Sequence, residues 1–298
     1  MKKLSKFNKG ILSGFLAVLC FSMISTLGIK VYGAGVSPLG VLTFRAFSAG
    51  FLFFMVILLS KKISFKIAKE DIGKLVLHSS ILAIHLILFW QGLKMLHQVS
   101  TTLALYFTFP LWVCLIAILF LKERMSKRKI VSLFMGMIGV LFTIQFLPSL
   151  SFAGINLVGV MLMLLAAIAW ATCLILGQTL LKKYHLFTIL FYNFLFCLVV
   201  FSLLQNPIIT FNQITLSVST MFYIAIMGIV STFLSYLFLY YAVGRIRASN
   251  MSIINLSQPL ISALIAFLVL SQIINWTQAI GMGLILISVY LLPKKDEQ

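Results

Sequence analysis

The residue whose type and position most call for chemistry is Arg45. It stands about seven residues into a long apolar run, roughly 10 Å from the run's end at a helical rise of about 1.5 Å per residue. A guanidinium at that depth is costly unless it is paired or faces a water-filled cavity. The five acidic residues, Glu70, Asp71, Glu123, Asp296 and Glu297, all fall between apolar runs or in the tail, so no carboxylate inside a run can pair with it. Two uses stay open. Arg45 is a docking charge for a carboxylate or phosphate, or it snorkels to the headgroups or bonds backbone carbonyls between helices.

Other polar residues recur at helical spacing. His78 and His85 are seven apart and share one helix face, which Phe89 and Gly92 continue. His85 falls near the middle of its run and is the one group there whose pKa naturally permits proton exchange near neutrality; a packing histidine is the alternative. Ser252, Asn255, Pro259 and Ser262 form a stripe with Gln258 beside it, and Thr102, Tyr106 and Pro110 form a shorter one. Such stripes avoid lipid and face either a neighbouring helix or a cavity. Each proline removes the donor for a carbonyl one turn back, which makes a hinge or a free acceptor. Ser22, Ser25 and Thr26 lie near the middle of the first run and Trp170 near the middle of the sixth. The candidate ligand-binding residues are therefore Arg45, His85, Tyr106, Trp170, Asn255 and Gln258, with Pro110 and Pro259 as hinges. Cys20, Cys114, Cys173 and Cys197 lie inside apolar runs without metal-ligand or CxxC spacing and are expected to be packing residues, so neither metal nor cofactor is implied.

The elements that must position these residues are membrane helices. With 62% apolar and 9% charged residues and a mean hydropathy of +1.14, the chain has too little polar surface for a water-soluble domain. Runs at 11–30, 38–60, 75–93, 98–121, 130–147, 157–180, 186–205, 217–241, 248–271 and 277–292 each approach the about 20 residues needed to cross a bilayer. The fold class expected is all-α integral membrane, with ten transmembrane helices. The net charge of +18 would raise nucleic acid as a partner of a soluble protein. Here twenty of the 23 Lys and Arg residues fall in every second gap, leaving only Lys30 and Lys94 in the others. The positive-inside rule accounts for that pattern without nucleic acid. It places both termini in the cytoplasm of a cell with the protein in its inner membrane, and the first run reads as a retained helix because no small-residue cleavage site follows it.

The halves resemble each other. A shift of 148 residues lays Ser22 to Lys30 over Trp170 to Gln178, and a shift of 149 lays Pro110 over Pro259, Ser100 over Ser249 and Glu123 over Gln272. Five helices per half is an odd number, so the second half (157–292) enters the membrane opposite to the first (1–147), with 293–298 as a cytoplasmic tail. Two inverted five-helix repeats favour a binding cavity near the midplane.

The segments SPLGVLTFRAF (37–47), FWQGLKMLHQVSTTLALYFTFPLWV (89–113) and FLKERMSKRKIVSLFMGMIGV (120–140), repeated in the second half as YYAVGRIRASNMSIINLSQPLISALIAF (240–267) and GMGLILISVY (281–290), carry a resemblance. In their order and spacing the chain resembles a ten-helix member of the drug/metabolite transporter superfamily of the EamA type, over essentially its full length. Gln272 departs from the acidic residue usual at that place. The resemblance implies a secondary transporter of a small organic metabolite, such as an amino-acid exporter or exchanger, working by alternating access without covalent chemistry. With no acid inside a run, coupling of protons to a cationic drug is disfavoured and a neutral, zwitterionic or anionic solute is favoured. No phosphate-binding loop marks an ATP-driven pump. The rivals are a flippase for a lipid-linked substrate and a polytopic membrane transferase, which would need paired acids or a His with a carboxylate at a membrane face; His97 has none near it in sequence. Trp90 and Trp276 read as interface-belt residues. Ser132, Gly136 and Gly139 on the fifth run and Ala279 and Gly283 on the tenth read as helix-packing or homodimer contacts.

Overall fold

The computed structural model describes residues 5–60, 62–96, 99–146, 156–209, 212, 217–270 and 273–292. Among the described residues there are helices and no strands. Helices α1 (Lys6–Gly33), α2 (Pro38–Leu59) and α3 (Lys69–Leu96) are followed by a broken pass made of α4 (Val99–Tyr106) and α5 (Phe109–Leu121), and then by α6 (Lys127–Thr143). The second half begins with α7 (Leu157–Leu180) and α8 (Leu186–Leu204). Next comes a pass in which α9 (Val218–Gly228) runs through a π-helical segment, Ile229–Leu234, into α10 (Ser235–Ile246). The broken pass of α11 (Ala248–Asn255) and α12 (Gln258–Leu270) and the short α13 (Trp276–Tyr290) complete it.

Eight passes are long and apolar enough to cross a membrane. The other two, α6 with 17 residues and α13 with 15, are shorter than the sequence runs suggest and pack against each other. Helix starts follow local chemistry. Ser37, Ser126, Asn156, Ser217 and Asn275 each accept a hydrogen bond from a first-turn N–H, and Pro38 follows Ser37 where a missing N–H costs nothing. Leu59, Phe120, Leu203 and Val218 are exposed, as expected of side chains that face lipid.

The sequence suggests ten helices with hinges at Pro110 and Pro259, and three of the passes are not continuous α-helices. The fourth and ninth are broken just before Pro110 and Pro259, because a proline cannot donate to the carbonyl one turn back and its ring crowds that turn. The breaks match: every boundary of α4 and α5 recurs 149 residues later in α11 and α12. The third departure is the π segment, treated below.

The packing also obeys the repeat. First pass meets eighth and sixth meets third; first meets ninth and sixth meets fourth; second meets seventh and fifth meets tenth. Exchanging each helix for its counterpart in the other half maps this set of pairs onto itself, as a two-fold axis between the halves requires. The fifth and tenth passes cross on that axis. Ser132 and Ser288 each donate to the other's carbonyl at 2.6 Å, and Gly139 lies against Gly281. Successive contacts run forward on one helix and backward on the other, so the pair is antiparallel. The small residues of the fifth pass thus serve a contact within the chain, where the backbones approach so closely that a Cβ on Gly281 would lie 2.5 Å from the Thr143 nitrogen. Gly283, by contrast, has nothing within 4 Å of such a Cβ.

Candidate functional site

Arg45 is buried, with 5% of its surface exposed, and its Nε donates to Thr232 Oγ1 at 2.8 Å. It is thus directed into the bundle toward the eighth pass. Thr232 sits in the π segment and donates in turn to the Met227 carbonyl five residues back, a reach that the extra residue of a π turn allows. Gly228 lets the two passes close up, since a Cβ there would meet Ser48 at 2.7 Å. No carboxylate of the described residues forms an ion pair with Arg45. Tyr32, Tyr236 and His85 lie within its electrostatic reach, and the buried Tyr32 hydroxyl has no hydrogen-bond partner.

His85 extends the same centre. Its Nδ1 is 3.0 Å from the Ala166 carbonyl, which can only accept, so Nδ1 carries the hydrogen and Nε2 of the neutral ring is an acceptor. The ring stacks on Trp170 at 4.9 Å and Tyr106 at 5.8 Å between centroids; Phe89 meets Tyr106 edge-on at 4.9 Å, and Trp170 meets Tyr236 edge-on. The stripe of His78, His85 and Gly92 therefore faces the sixth pass, whose Cys173, Ala166 and Met163 it touches in descending order. Trp90, expected at the interface, is half-buried and edge-on to Tyr32 at 5.2 Å, whereas Trp276 is exposed.

One layer toward the basic end lies a second network. His78 Nδ1 is 3.0 Å from Asn193 Oδ1, which also accepts from Ser79 at 2.8 Å; His78 Nε2 is 2.9 Å from the Tyr240 hydroxyl. Asn193 is the repeat counterpart of Arg45, and the parallel is close: second pass to eighth through Arg45 and Thr232, seventh pass to third through Asn193, His78 and Ser79. At these matching positions each half thus sends a polar side chain across the boundary between halves. All four cysteines are buried and free.

Of the remaining candidates, Asn255 is buried with its Oδ1 unpartnered, and Gln258 is half-buried with its backbone carbonyl accepting from Ser22 at 3.2 Å. Both belong to the ninth pass against the first, and no hydrogen bond or ring contact joins them to the His85 cluster. Asn255 and Tyr106 end the first half-helices of their passes, so the two stand in equivalent places. Pro110 and Pro259 each fall second in the half-helix that follows. His97 and Gln272 lie outside the described residues.

At the basic end two clasps tie the halves. Asp71, buried, accepts from Lys74 and Lys183 at 2.9 Å each and from the Tyr184 hydroxyl at 2.8 Å, joining the gap after the second pass to that after the sixth. Glu123 pairs with Lys129 at 2.6 Å, both side chains about 95% buried, and each bonds Ser249 at the start of the ninth pass. The Asp71 carboxylate holds the Lys183 pKa above its ordinary value.

Sequence profiles agree with this architecture. The profile of the EamA-like transporter family matches residues 8–145 and again 157–293, and the chain belongs to that family. An uncharacterized transporter of Archaeoglobus fulgidus is 26% identical over 262 residues, covering 87% of this chain and 90% of its own. The uncharacterized transporter YyaM of Bacillus subtilis is 27% identical over 210 residues, 68% of this chain and 66% of that one. A crystal structure superposes with a TM-score of 0.77 over 95% of this chain and 96% of its own at 16% identity, a likeness of fold.

Proposed function

We propose that this transporter moves a small organic metabolite bearing an anionic group, by alternating access and without ATP, with Arg45 as the docking charge. The observation that carries this reading is the state of Arg45: a buried guanidinium held by one neutral hydroxyl, with no acid of the described residues to pair it. A carboxylate or phosphate on the solute completes that centre, as a buried charge demands. His85 Nε2 would then take a hydrogen from the solute, and Trp170, Tyr106 and Phe89 would hold its apolar part. An amino acid or related metabolite, with one carboxylate and an apolar remainder, fits this division.

The basic end is assigned to the cytoplasm by its charge, and the membrane to a bacterial inner membrane. Alternating access would part the Asn193–His78–Tyr240 layer and the Glu123 clasp on that side, and the Tyr32–Trp90 contact on the other, with the breaks before Pro110 and Pro259 absorbing the bend. The test is purified protein in liposomes offered a pooled metabolite panel. Uptake of a solute by wild type and its loss in Arg45→Ala at equal protein content supports the reading; uptake unchanged in Arg45→Ala removes Arg45 from the site.

A further inference from the structure

A cavity of about 950 Å³ opens at the basic end where the fourth, sixth and eighth passes terminate. Lys122, Arg124, Lys182, Arg245 and Arg247 line it with Gln178. The one acid on its wall, Glu123, is bonded to Lys129 and Ser249 and also pairs with Arg247 at 3.9 Å, which leaves Lys122, Arg124, Lys182 and Arg245 in excess. Sidedness of charge explains why cations occur at this end of the bundle. It does not explain their convergence from three separate gaps on one concavity, where like charges repel unless an anion joins them.

The turn between the eighth and ninth passes forms part of the wall. Arg247 has φ 70 and ψ 155, a conformation that glycine favours and other residues adopt only under strain, and its guanidinium lines the cavity beside Glu123. At the same turn the N-terminus of α11 faces Gln178, whose side-chain oxygen accepts from the Ala248 N–H. Arg245 is held too, its guanidinium 3.2 Å above the Tyr241 ring centre and bonded to the Tyr241 carbonyl.

We infer that this vestibule is a binding site for a polyvalent anion of the phosphate type, distinct from the centre at Arg45. Five cations against one engaged acid suit a ligand with at least two negative charges, and the volume suits an organic phosphate more than a bare ion. The vestibule stands above the central site along the sixth pass: Gln178 at its wall, Gly177 beside Tyr240 and His78, then Cys173, then Trp170 beside His85. Its use as the entry station for a cytosolic solute rests on the reading proposed above; binding at the vestibule itself does not. The same chemistry could come from a soluble phosphate compound or from an anionic lipid headgroup.

The test uses purified protein in nanodiscs of phosphatidylcholine, with pyrophosphate as the probe and the melting temperature as the readout. Wild type and Arg45→Ala should both show a saturable rise. Lys182→Gln/Arg245→Gln should need at least tenfold more probe, with Lys182→Arg/Arg245→Lys restoring it. The rise should weaken at about 1 M salt, where screening shortens to about 3 Å. Repeating the titration with phosphatidylglycerol separates the sources: a rise that persists assigns the site to a soluble anion, and one that phosphatidylglycerol abolishes assigns it to a headgroup. No saturable rise in wild type, or an equal rise in the double variant, overturns the inference.

Discussion

Replacing Thr232 by valine removes one oxygen and keeps the side-chain shape, which makes it a clean probe of how Arg45 is held. Two bonds go with that oxygen, the 2.8 Å bond from Arg45 Nε and the 3.1 Å bond to the Met227 carbonyl. A double-mutant cycle with Arg45→Met isolates the first, because the second is lost in both backgrounds. In water-soluble proteins a hydrogen bond to a charged group contributes about 1.5–3 kcal/mol. Between membrane helices the average is only about 0.6 and the maximum about 1.7, since the unfolded state in a membrane finds other partners. The Arg45 bond is charge-assisted, short and 95% shielded, so the upper part of that range applies and the coupling should be about 1–1.7 kcal/mol. SDS-driven unfolding in mixed micelles, followed by tryptophan fluorescence, measures it. A coupling below about 0.5 kcal/mol, the scatter expected of independent sites, would refute the claim that Thr232 holds Arg45 in place.

At the crossing on the two-fold axis, Gly281→Val should abolish folded protein in the membrane because its Cβ would press on backbone at 2.5 Å, while Gly283→Ala should leave abundance unchanged. Immunoblots of membrane fractions distinguish the two. Glu123→Gln should cost about 3–5 kcal/mol by leaving Lys129 buried without its counter-charge, and Glu123→Leu/Lys129→Met should recover most of that loss; unfolding midpoints in mixed micelles report it. Lys183, whose folded pKa is raised by Asp71, contributes stability that is fully present below its unfolded pKa of about 10.4 and is lost as pH climbs through the folded value. Melting temperature should therefore fall more steeply above that pH in wild type than in Lys183→Gln; parallel curves would show that the clasp contributes nothing.

Much of this architecture is written in the sequence because lipid leaves a chain few choices. Long apolar runs and one-sided charge specify the passes, and the equal spacing of Pro110 and Pro259 specifies both the repeat and where its fourth and ninth helices break. Stripe spacing put His78, His85 and Gly92 on one face, since residues seven apart on a helix share a face, but it did not say which helix that face meets. What spacing could not supply was the partner of Arg45. Thr232 is 187 positions away and reaches it only through a π turn, for which Gly228, Ser231 and Thr232 give no local signature. Nor could it show that Lys122, Lys182 and Arg245, each an ordinary topological cation in its own gap, border one cavity. The depth of Glu123 was hidden for the same reason: a gap between helices looks solvated until another helix start, here Ser249, folds over it.

The account depends most on an anionic group of the solute meeting Arg45. Once a transported solute is found, the direct measurement compares its uptake into liposomes with that of its analogue in which the carboxylate or phosphate is masked as a neutral ester. Wild type should favour the anion by about ten- to a hundredfold, as a buried charge-assisted bond of about 1.5–3 kcal/mol requires, and Arg45→Ala should favour neither. Equal discrimination in both proteins would contradict the account.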